Sequence, residues 1–490
     1  MISERRRLGL AAIAFGVAVS VAGSVQADLR KRIDAVLAGA DARRMTVGVR
    51  VLELPAGKVL YSVRANEAFI PASNVKIITT ASALHHLTPE FRFRTLIYAD
   101  GTLAGGTLRG DLVIQGDGDP NISGRFHDDD IAFIPRQWAQ ILRRRGFRRI
   151  TGDLVADDTI FDREYVCRSW PRDQLHKWYA APVAGLSFND GCVDVVITPS
   201  RAGRAARVAL EPDTRYMHLT NGLITTASRA LAKQRGIYLS RPLGTNRIVV
   251  KGRLWDKAGS RRYYVTVHEP PLYLATVVAE EMKRAGITLD GRVRLATKVR
   301  PRVERTDPRV HIIHSATLVD SINVTNKRSQ SFYAEHLLKR TGAAVSGRGT
   351  FASGIDAAKR YLASAGIASG GAVIADGGGL SRANRLSPVH LTEVLKHAYN
   401  AKYGKVFVAS LARSGIDHSM RKRLAATAYR GRVAAKTGTL NRVVALSGYA
   451  FNRHGKVLAF SVLVNNSHNN YAARAFTDEI CRLLVDELIP

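Results

Sequence analysis

Residues 71–78 read PASNVKII, and from residue 75 to residue 87 apolar side chains recur at helical spacing, which predicts a helix over 75–87. Ser73 and Lys76 are three residues apart, so a helix places both side chains on one face. A helix N-terminus also presents backbone N–H groups to a developing negative charge. In an apolar site near another cation, Lys76 loses affinity for its proton and can serve as a base. The stretch therefore predicts a serine nucleophile beside a lysine base, at the start of a buried helix.

A second motif lies far downstream, where residues 434–439 read AAKTGT within a strand-like run. Lys436 offers a point charge to a substrate carboxylate, and Gly438 permits close approach by a ligand backbone. Ser-x-x-Lys followed by a late Lys-Thr-Gly is the active-site signature of serine enzymes that penicillin acylates.

Similar residue patterns occur elsewhere in the chain, but in different sequence surroundings. Ser419 and Lys422 repeat the first spacing among charged residues without an apolar run, which predicts an ordinary surface. Residues 340–342 read RTG at the end of an apolar helix-like run, where we expect a helix stop.

The N-terminus has the pattern of a secretory signal peptide. Three arginines at positions 5–7 precede an uncharged, apolar stretch over residues 8–23, and residues 25–27 read VQA before Asp28. The alternative is an uncleaved membrane anchor, for which the stretch is short. We expect cleavage near Ala27, a mature chain of 490 − 27 = 463 residues, and a periplasmic or other extracytoplasmic location.

The chain is strongly basic, with a formal net charge of +32. Removing residues 1–27 subtracts three arginines and one glutamate and leaves 32 − 3 + 1 = +30. Nucleic acid is a common partner of basic chains, but the export signal argues against it, so we expect surface association with anionic cell-wall polymers or membranes instead. The arginines at 143–145, 148 and 149 form either a binding patch or a solvated helix face.

Neither the cysteines nor the acidic loop predicts a metal site. Cys167, Cys192 and Cys481 match no metal-binding spacing. In an oxidising compartment Cys167 and Cys192 either pair or stay reduced, whereas Cys481 fits a buried position in a terminal helix. Residues 127–130 read HDDD, and consecutive side chains rarely converge on one ion, so we expect an acidic loop.

Elements at the two ends of the chain can share one antiparallel sheet. A predicted helix at 29–37 and strands at 46–52 and 59–63 precede the Ser73 segment. Strands at 432–439, 443–451 and 456–464 and a helix at 471–488 close the chain. After the apolar residues 112–114 and a turn at 116–120, short strands and Gly/Pro turns continue to about residue 300 and indicate inserted β-rich material. The fold class predicted is α/β, of the α+β type.

Residues 326–338 read NKRSQSFYAEHLL, and with them the chain resembles a known family. It is similar to the low-molecular-mass class C penicillin-binding proteins of the D-alanyl-D-alanine carboxypeptidase/endopeptidase type, peptidase family S13. The resemblance covers nearly the whole mature chain. Besides residues 73–95 and the Lys436 segment, it includes residues 180–190, 376–382 and 414–417.

The resemblance implies a role for each site residue. Ser73 is the acylated nucleophile, Lys76 its general base, and Ser329 a proton relay toward the leaving group. The residues that bind substrate are Ser331, Lys436, Thr437, Gly438 and Thr439. The backbone N–H groups of Ser73 and Thr439 form the oxyanion hole. The expected partners are peptidoglycan peptides that end in or are cross-linked through D-Ala, and β-lactam antibiotics as covalent inhibitors. The family needs no cofactor or metal.

The resemblance also implies a penicillin-recognising, serine-transpeptidase-like core with an antiparallel sheet flanked by helices and two inserted domains. We expect the core at 28–90 and 307–490. Inserted domain II is expected at 91–114 and 184–306, and inserted domain III at 115–183.

The chain departs from the family pattern at Ser331, where the family has Asn. A Ser hydroxyl is shorter than an Asn amide and lacks its separate donor and acceptor, so activity or substrate choice can change. Residues 321–323 read SIN and offer a rival Ser-x-Asn, but the residues around Ser329 carry the family pattern. Gly378 replaces a frequent Ser.

The leading hypothesis is an exported serine-type D-Ala-D-Ala carboxypeptidase or endopeptidase. One alternative is a β-lactamase-like hydrolase, which must deacylate quickly; no motif assigns the water-positioning Glu that class A enzymes use. The other is a weakly active peptidoglycan-binding scaffold, suggested by Ser331 and the basic surface.

Overall fold

The computed structural model describes residues 28–39 and 42–486, so the predicted signal peptide lies outside the described residues. The helices are α1 (28–37), α2 (Val75–Leu87), α3 (Phe133–Arg144), α4 (Arg229–Arg235), α5 (Pro270–Arg284), α6 (Leu318–Lys327), α7 (Ser331–Ser346), α8 (Phe351–Ser364), α9 (Pro388–Asn400), α10 (Gly404–Ser410) and α11 (Asn470–Asp486).

Nineteen strands are assigned within those residues. They are β1 (Thr46–Leu54), β2 (Lys58–Val63), β3 (Arg92–Ala104), β4 (Thr107–Gln115), β5 (Arg149–Ile150), β6 (Leu154–Asp157), β7 (Cys192–Thr198), β8 (Arg207–Glu211), β9 (His218–Thr226), β10 (Ile237–Ser240), β11 (Arg247–Trp255), β12 (Arg261–Thr266), β13 (Thr288–Leu289), β14 (Val293–Leu295), β15 (Val310–Thr317), β16 (Ala412–Arg413), β17 (Val433–Leu440), β18 (Val443–Phe451) and β19 (Val457–Asn465).

The described residues divide into two compact units, of which the first contains 28–39, 42–85, 323–329 and 358–486. Its sheet is antiparallel throughout, in the order β16-β17-β18-β19-β1-β2. Helices α1 and α11 pack on this sheet through buried apolar side chains, among them Ile33 and Ile480. On β18 every residue but the last is buried, as expected of a strand covered on both faces. The first and last parts of the sequence therefore meet in one sheet, as predicted.

The second unit contains residues 86–322 and 330–357. Its largest sheet runs β13-β5-β4-β3-β15, with β6 pairing β4 and β14, and two three-stranded sheets run β10-β11-β9 and β12-β7-β8. Helices α3 and α5 contribute fully buried aromatic residues, Trp138 and Tyr273, to the hydrophobic core of this unit.

The fold class is confirmed as a mixed α/β protein, and helix α2 has the predicted limits. The β-rich interpretation of residues 115–300 missed three helices, α3, α4 and α5. The limits of the inserted domains stay a prediction. Strand pairing joins segments that the prediction assigns to different domains, because β4 pairs with both β5 and β6.

The expected helix stop at Gly342 is wrong, since α7 continues to Ser346 and ends at Gly347 in the left-handed region, φ +70°. Gly342 instead serves the packing of α7 on α8. A Cβ there would lie 2.5 Å from Ser353 Oγ and 2.6 Å from the Gly354 nitrogen.

All three cysteines are buried free thiols, so the pairing of Cys167 with Cys192 is not formed. The acidic loop at 127–130 makes local contacts, with His127 stacked on Phe133 and Asp130 bound to Arg136 at 2.7 Å. Within residues 28–39 and 42–486, no helix combines the length and apolar character that crossing a bilayer requires.

Candidate active site

The segment that carries Ser73 is held by the neighbouring sheet. Asn465, the last residue of β19, accepts a hydrogen bond from the Ile70 N–H at 2.9 Å and donates one to the Ile70 carbonyl at 3.0 Å. Residues 72–74 then form a 3₁₀ turn that leads into α2, with Ala72 at φ +48°. A non-glycine residue in this region marks local strain, which is common beside functional residues.

Ser73 and Lys76 are brought together as the (i, i+3) spacing predicts. The Lys76 Nζ donates to Ser73 Oγ at 3.2 Å, and Lys76 is fully buried while Ser73 is partly accessible. The Gly378 carbonyl accepts from both side chains, at 3.4 Å from Ser73 Oγ and at a short contact with Lys76 Nζ. Ser73, the predicted nucleophile, is thus reachable, while Lys76, its predicted base, is shielded from water.

A tight turn at residues 376–381 presents that carbonyl. The Asp376 carboxylate accepts from the N–H groups of Gly379 and Ser381, both at 2.7 Å, and Thr79 of α2 donates to the Gly377 carbonyl at 2.8 Å. Gly379 has φ +80°, and a Cβ there would lie 2.0 Å from the Ala72 carbonyl oxygen. Only glycine fits this position beside the nucleophile segment.

Lys436 joins the same cluster from β17. It is fully buried, and its Nζ donates to Ser329 Oγ at 2.7 Å and to the Thr437 carbonyl at 2.8 Å. Asn74 Nδ2 donates to the Lys436 carbonyl at 3.1 Å and ties the Ser73 segment to this strand. Gly438 adds to the close fit, since a Cβ there would lie 3.0 Å from Asn74 Nδ2 and from the Pro71 carbonyl.

Lys436 holds its proton less tightly than a free lysine does. Burial, and then the nearby Lys76 charge, lower the pKa of Lys436 well below its usual value. Two ammonium groups repel each other in a site shielded from water. One lysine of the cluster therefore becomes neutral at a lower pH than a free lysine does.

Ser329 is placed by a polar anchor at the end of α6. It adopts φ +59°, in the left-handed region. Three residues earlier, buried Asn326 donates to Ser410 Oγ at 2.8 Å and to Thr80 Oγ1 at 3.3 Å. Thr80 in turn donates to the Lys76 carbonyl at 2.6 Å, so one hydrogen-bonded chain positions both motifs.

The remaining predicted residues have different settings. Ser331 is the buried first residue of α7, and Thr437 is partly accessible. Thr439 is exposed, with the Arg474 guanidinium 3.4 Å from its Oγ1. Ser321 of the rival motif is fully buried and accepts from Asn121 Nδ2 at 2.8 Å.

Sequence reasoning did not single out Asn74, Asp376 or Asn465 as residues that position the site. Asn74 and Asp376 lie inside stretches already quoted for their motifs, and each is a buried polar residue among apolar or glycine neighbours. Asn465 sits at a strand end, where polarity alone gives no signal.

The chain is similar to known proteins over most of its length. The model of the D-Ala-D-Ala carboxypeptidase 3 (S13) family matches residues 29–486. The chain is 32% identical over 477 residues to a D-alanyl-D-alanine carboxypeptidase of an Actinomadura species, covering 95% of this chain and 86% of that one. It is 23% identical to a D-alanyl-D-alanine carboxypeptidase of Haemophilus influenzae, covering 86% of this chain and 85% of that one.

A solved structure shares the fold. Penicillin binding protein 4 of Haemophilus influenzae superposes with a TM-score of 0.79 at 22% identity, covering 93% of this chain and 99% of that one. A second structure of that protein, complexed with a β-lactam, has a TM-score of 0.75 at 21% identity and covers 93% of this chain and 99% of that one.

Proposed function

This chain belongs to the D-Ala-D-Ala carboxypeptidase 3 (S13) family, and on that premise we propose that it works through an acyl-enzyme on Ser73. It is a serine-type D-Ala-D-Ala carboxypeptidase. The observation that carries the assignment of Ser73 is the cluster of Ser73, Lys76, Lys436 and Ser329. Its links are 3.2 Å from Lys76 Nζ to Ser73 Oγ and 2.7 Å from Lys436 Nζ to Ser329 Oγ.

In the acylation step neutral Lys76 takes the Ser73 proton, and Ser73 Oγ attacks the carbonyl carbon of the penultimate D-Ala. The backbone N–H groups of Ser73 and Thr439 receive the negative charge that develops on the carbonyl oxygen. The carbon–nitrogen bond then breaks, and Ser329 passes a proton from Lys436 or Lys76 to the departing D-Ala nitrogen. Water then attacks the acyl-enzyme, and the proton transfers of the acylation step run in reverse to release the acyl group from Ser73.

The substrate's terminal carboxylate binds Lys436 and Thr437, and Thr439 contributes to substrate binding beside them. The cationic Lys436 side chain and the accessible threonine hydroxyls support this role. Gly438 keeps the strand close to the nucleophile. Ser331 contacts the substrate peptide through a shorter group than the family's Asn, which predicts weaker binding of the peptide backbone.

The substrates are peptidoglycan peptides ending in or cross-linked through D-Ala, and β-lactams acylate the same serine. The relative of known structure complexed with a β-lactam supports this proposal. The signal-peptide pattern supports export and cleavage near Ala27. Two inserted domains between the first and second motifs stay part of the proposal.

The test is intact mass spectrometry of the mature protein with benzylpenicillin over time, followed by peptide mapping. We expect a lasting adduct on the Ser73 peptide and D-Ala release from D-Ala-ended peptides, both lost in Ser73→Ala. Ser419→Ala is the matched control, since it removes the serine of the other Ser-x-x-Lys and leaves both activities intact.

Other outcomes separate the alternatives. Rapid turnover of benzylpenicillin without a lasting adduct would favour a β-lactamase. Wall binding without any adduct or drug consumption would favour the scaffold. If Ser321→Ala abolishes acylation and Ser329→Ala does not, the assignment of Ser329 is wrong.

A further inference from the structure

A cavity of about 320 Å³ lies within the second unit, and the proposed reaction on Ser73 uses none of its residues. Among the lining residues are Arg172, Leu175, Arg241, Leu243, Val267 and Glu269. The volume is at the small end of ligand pockets, which hold about 300–1,000 Å³. Its wall combines apolar side chains with both signs of charge.

Arg241 is the unusual member of this wall, because it is a buried cation that, among the described residues, is bound only by neutral groups. It is 7% exposed. Its guanidinium donates to the Thr245 carbonyl at 2.8 Å, to Thr266 Oγ1 at 3.1 Å and to the Leu175 carbonyl at 3.4 Å. Its buried Nε–H finds no acceptor among the described residues.

These contacts explain the orientation of the Arg241 side chain, but they do not explain its charge. Burial lowers the pKa of Arg241, yet a guanidinium stays protonated in proteins. A buried charge without a counter-charge is costly, and a neutral amide could donate to the same carbonyls. An anion that enters the cavity would remove this cost.

The other charged groups of the cavity refine the choice of anion. Glu164 is already paired with Arg168 at 2.9 Å. Exposed Arg172 and partly buried Glu269 have no ion pair among the described residues. A ligand with a carboxylate and an ammonium group would match these charges, and the leucine and valine side chains suit a short apolar body.

We propose that this cavity binds a small zwitterion, an amino acid or dipeptide whose carboxylate pairs with Arg241 and whose ammonium group pairs with Glu269. The site is separate in its residues from the Ser73 cluster, and it does not depend on the function proposed above. An amino acid or dipeptide has a free ammonium group and a free carboxylate close together, which a long wall peptide does not.

The test is isothermal titration calorimetry of the full mature chain carrying Ser73→Ala, with D-alanyl-D-alanine as the probe. We expect saturable binding that Arg241→Gln weakens by about tenfold or more, since a hydrogen bond to a charged group contributes roughly 1.5–3 kcal/mol. Arg247→Gln removes an exposed arginine of the same unit and is the matched control. N-acetylation of the dipeptide should weaken binding to the parent chain, and Glu269→Gln should abolish that difference.

Equal binding by the Arg241→Gln and Arg247→Gln proteins, or no binding by the parent chain at tens of millimolar dipeptide, would overturn the proposal. Thermal unfolding checks that Arg241→Gln is folded. If it is not, Leu243→Trp replaces it, because Leu243 lines the cavity and is 48% exposed. That larger side chain should reduce binding while leaving the hydrogen bonds of Arg241 in place, and unchanged binding would contradict the site.

Discussion

At the scale of single residues, the burial of Lys436 beside Lys76 predicts that the proposed reaction depends on pH. The pKa of Lys436 is lowered by burial and by Lys76, so its proton is lost well below the pH at which free lysine titrates. We expect the rate of acylation by benzylpenicillin to fall as Lys436 loses its charge. Stopped-flow acylation across pH should give an alkaline limb that lies well below the usual lysine pKa of 10.5.

Lys436→Arg supplies the control, because a guanidinium keeps its charge throughout this range. The acylation rate should fall because a guanidinium differs in shape from the lysine ammonium group, but the alkaline limb of the pH profile should disappear. A parent profile that stays flat up to about pH 10, near the usual titration of lysine, would contradict the proposed roles.

Asp119 in the second unit gives a separate pH effect on stability. Burial raises the pKa of Asp119 to about 6, while His314 is neutral at pH 7 because burial lowers its pKa to about 4. The two side chains are 3.6 Å apart, too far for a hydrogen bond. The stability contribution of protonated Asp119 is therefore present below about pH 4 and is lost as pH rises through about 6.

Asp119→Asn should remove this loss, because an amide does not ionise. Between about pH 4 and pH 8 its free energy of unfolding, measured with urea, should gain about 2–3 kcal/mol relative to the parent chain. Asp129→Asn changes an exposed carboxylate of the nearby loop and should show no such gain. A pH-independent difference for both variants would exclude the burial effect.

At the scale of elements, the turn at residues 376–381 sets the geometry around the nucleophile. Gly379→Ala combines a left-handed φ with a Cβ 2.0 Å from the Ala72 carbonyl, so the turn or the Ser73 segment must move. Misplacement by about 1 Å commonly costs about 10²-fold in rate, and we expect a loss of acylation of that order. Benzylpenicillin acylation and thermal unfolding together measure it.

Gly366→Ala is the matched control, because Gly366 has φ +67° and a Cβ added there would meet no atom within 4 Å. It should lose about 1–2 kcal/mol of stability from its backbone conformation alone and keep its acylation rate. Equal rates in both alanine variants would show that the turn does not position the site.

Elements with a strong local pattern were predictable from the sequence, and elements defined by distant contacts were not. The apolar period of α2 and the β-branched runs of β17–β19 gave limits within a residue or two. Helix α5 begins with two prolines and follows Glu269, which has a left-handed φ. This local pattern is typical of a turn, so the helix was not predicted from the sequence. Gly342 looked like a helix end because its packing partner, Ser353 on α8, is not visible in the local pattern.

The same limit applies to the candidate site. The spacing alone predicted the contact of Ser73 with Lys76, because it follows from helix geometry. The Gly378 carbonyl and the Asn74 side chain contribute through contacts between residues about 300 or more positions apart in the chain. Residue type in a single sequence does not encode such pairings.

At the scale of the whole molecule, the excess positive charge predicts salt-sensitive association with anionic wall polymers. The formal net charge is +32, and several arginines at the end of α3 and just after it are exposed, including Arg144, Arg145 and Arg148. Charge attraction of this kind weakens as salt shortens the screening length, which is about 8 Å at physiological ionic strength. If the arginines form a binding patch, the strength of wall association depends on where they lie and not only on how many there are.

A pair of triple variants separates these two possibilities. Replacing Arg144, Arg145 and Arg148 by Gln removes three charges at the end of α3. Replacing exposed Arg201, Arg204 and Arg207 by Gln removes three elsewhere in the same unit. In sedimentation with purified sacculi that carry anionic polymer, the first variant should lose more binding than the second, and raised salt should erase the difference. Equal losses would mean that total charge, rather than this patch, holds the protein at the wall, and acylation of Ser73 should be unchanged in both.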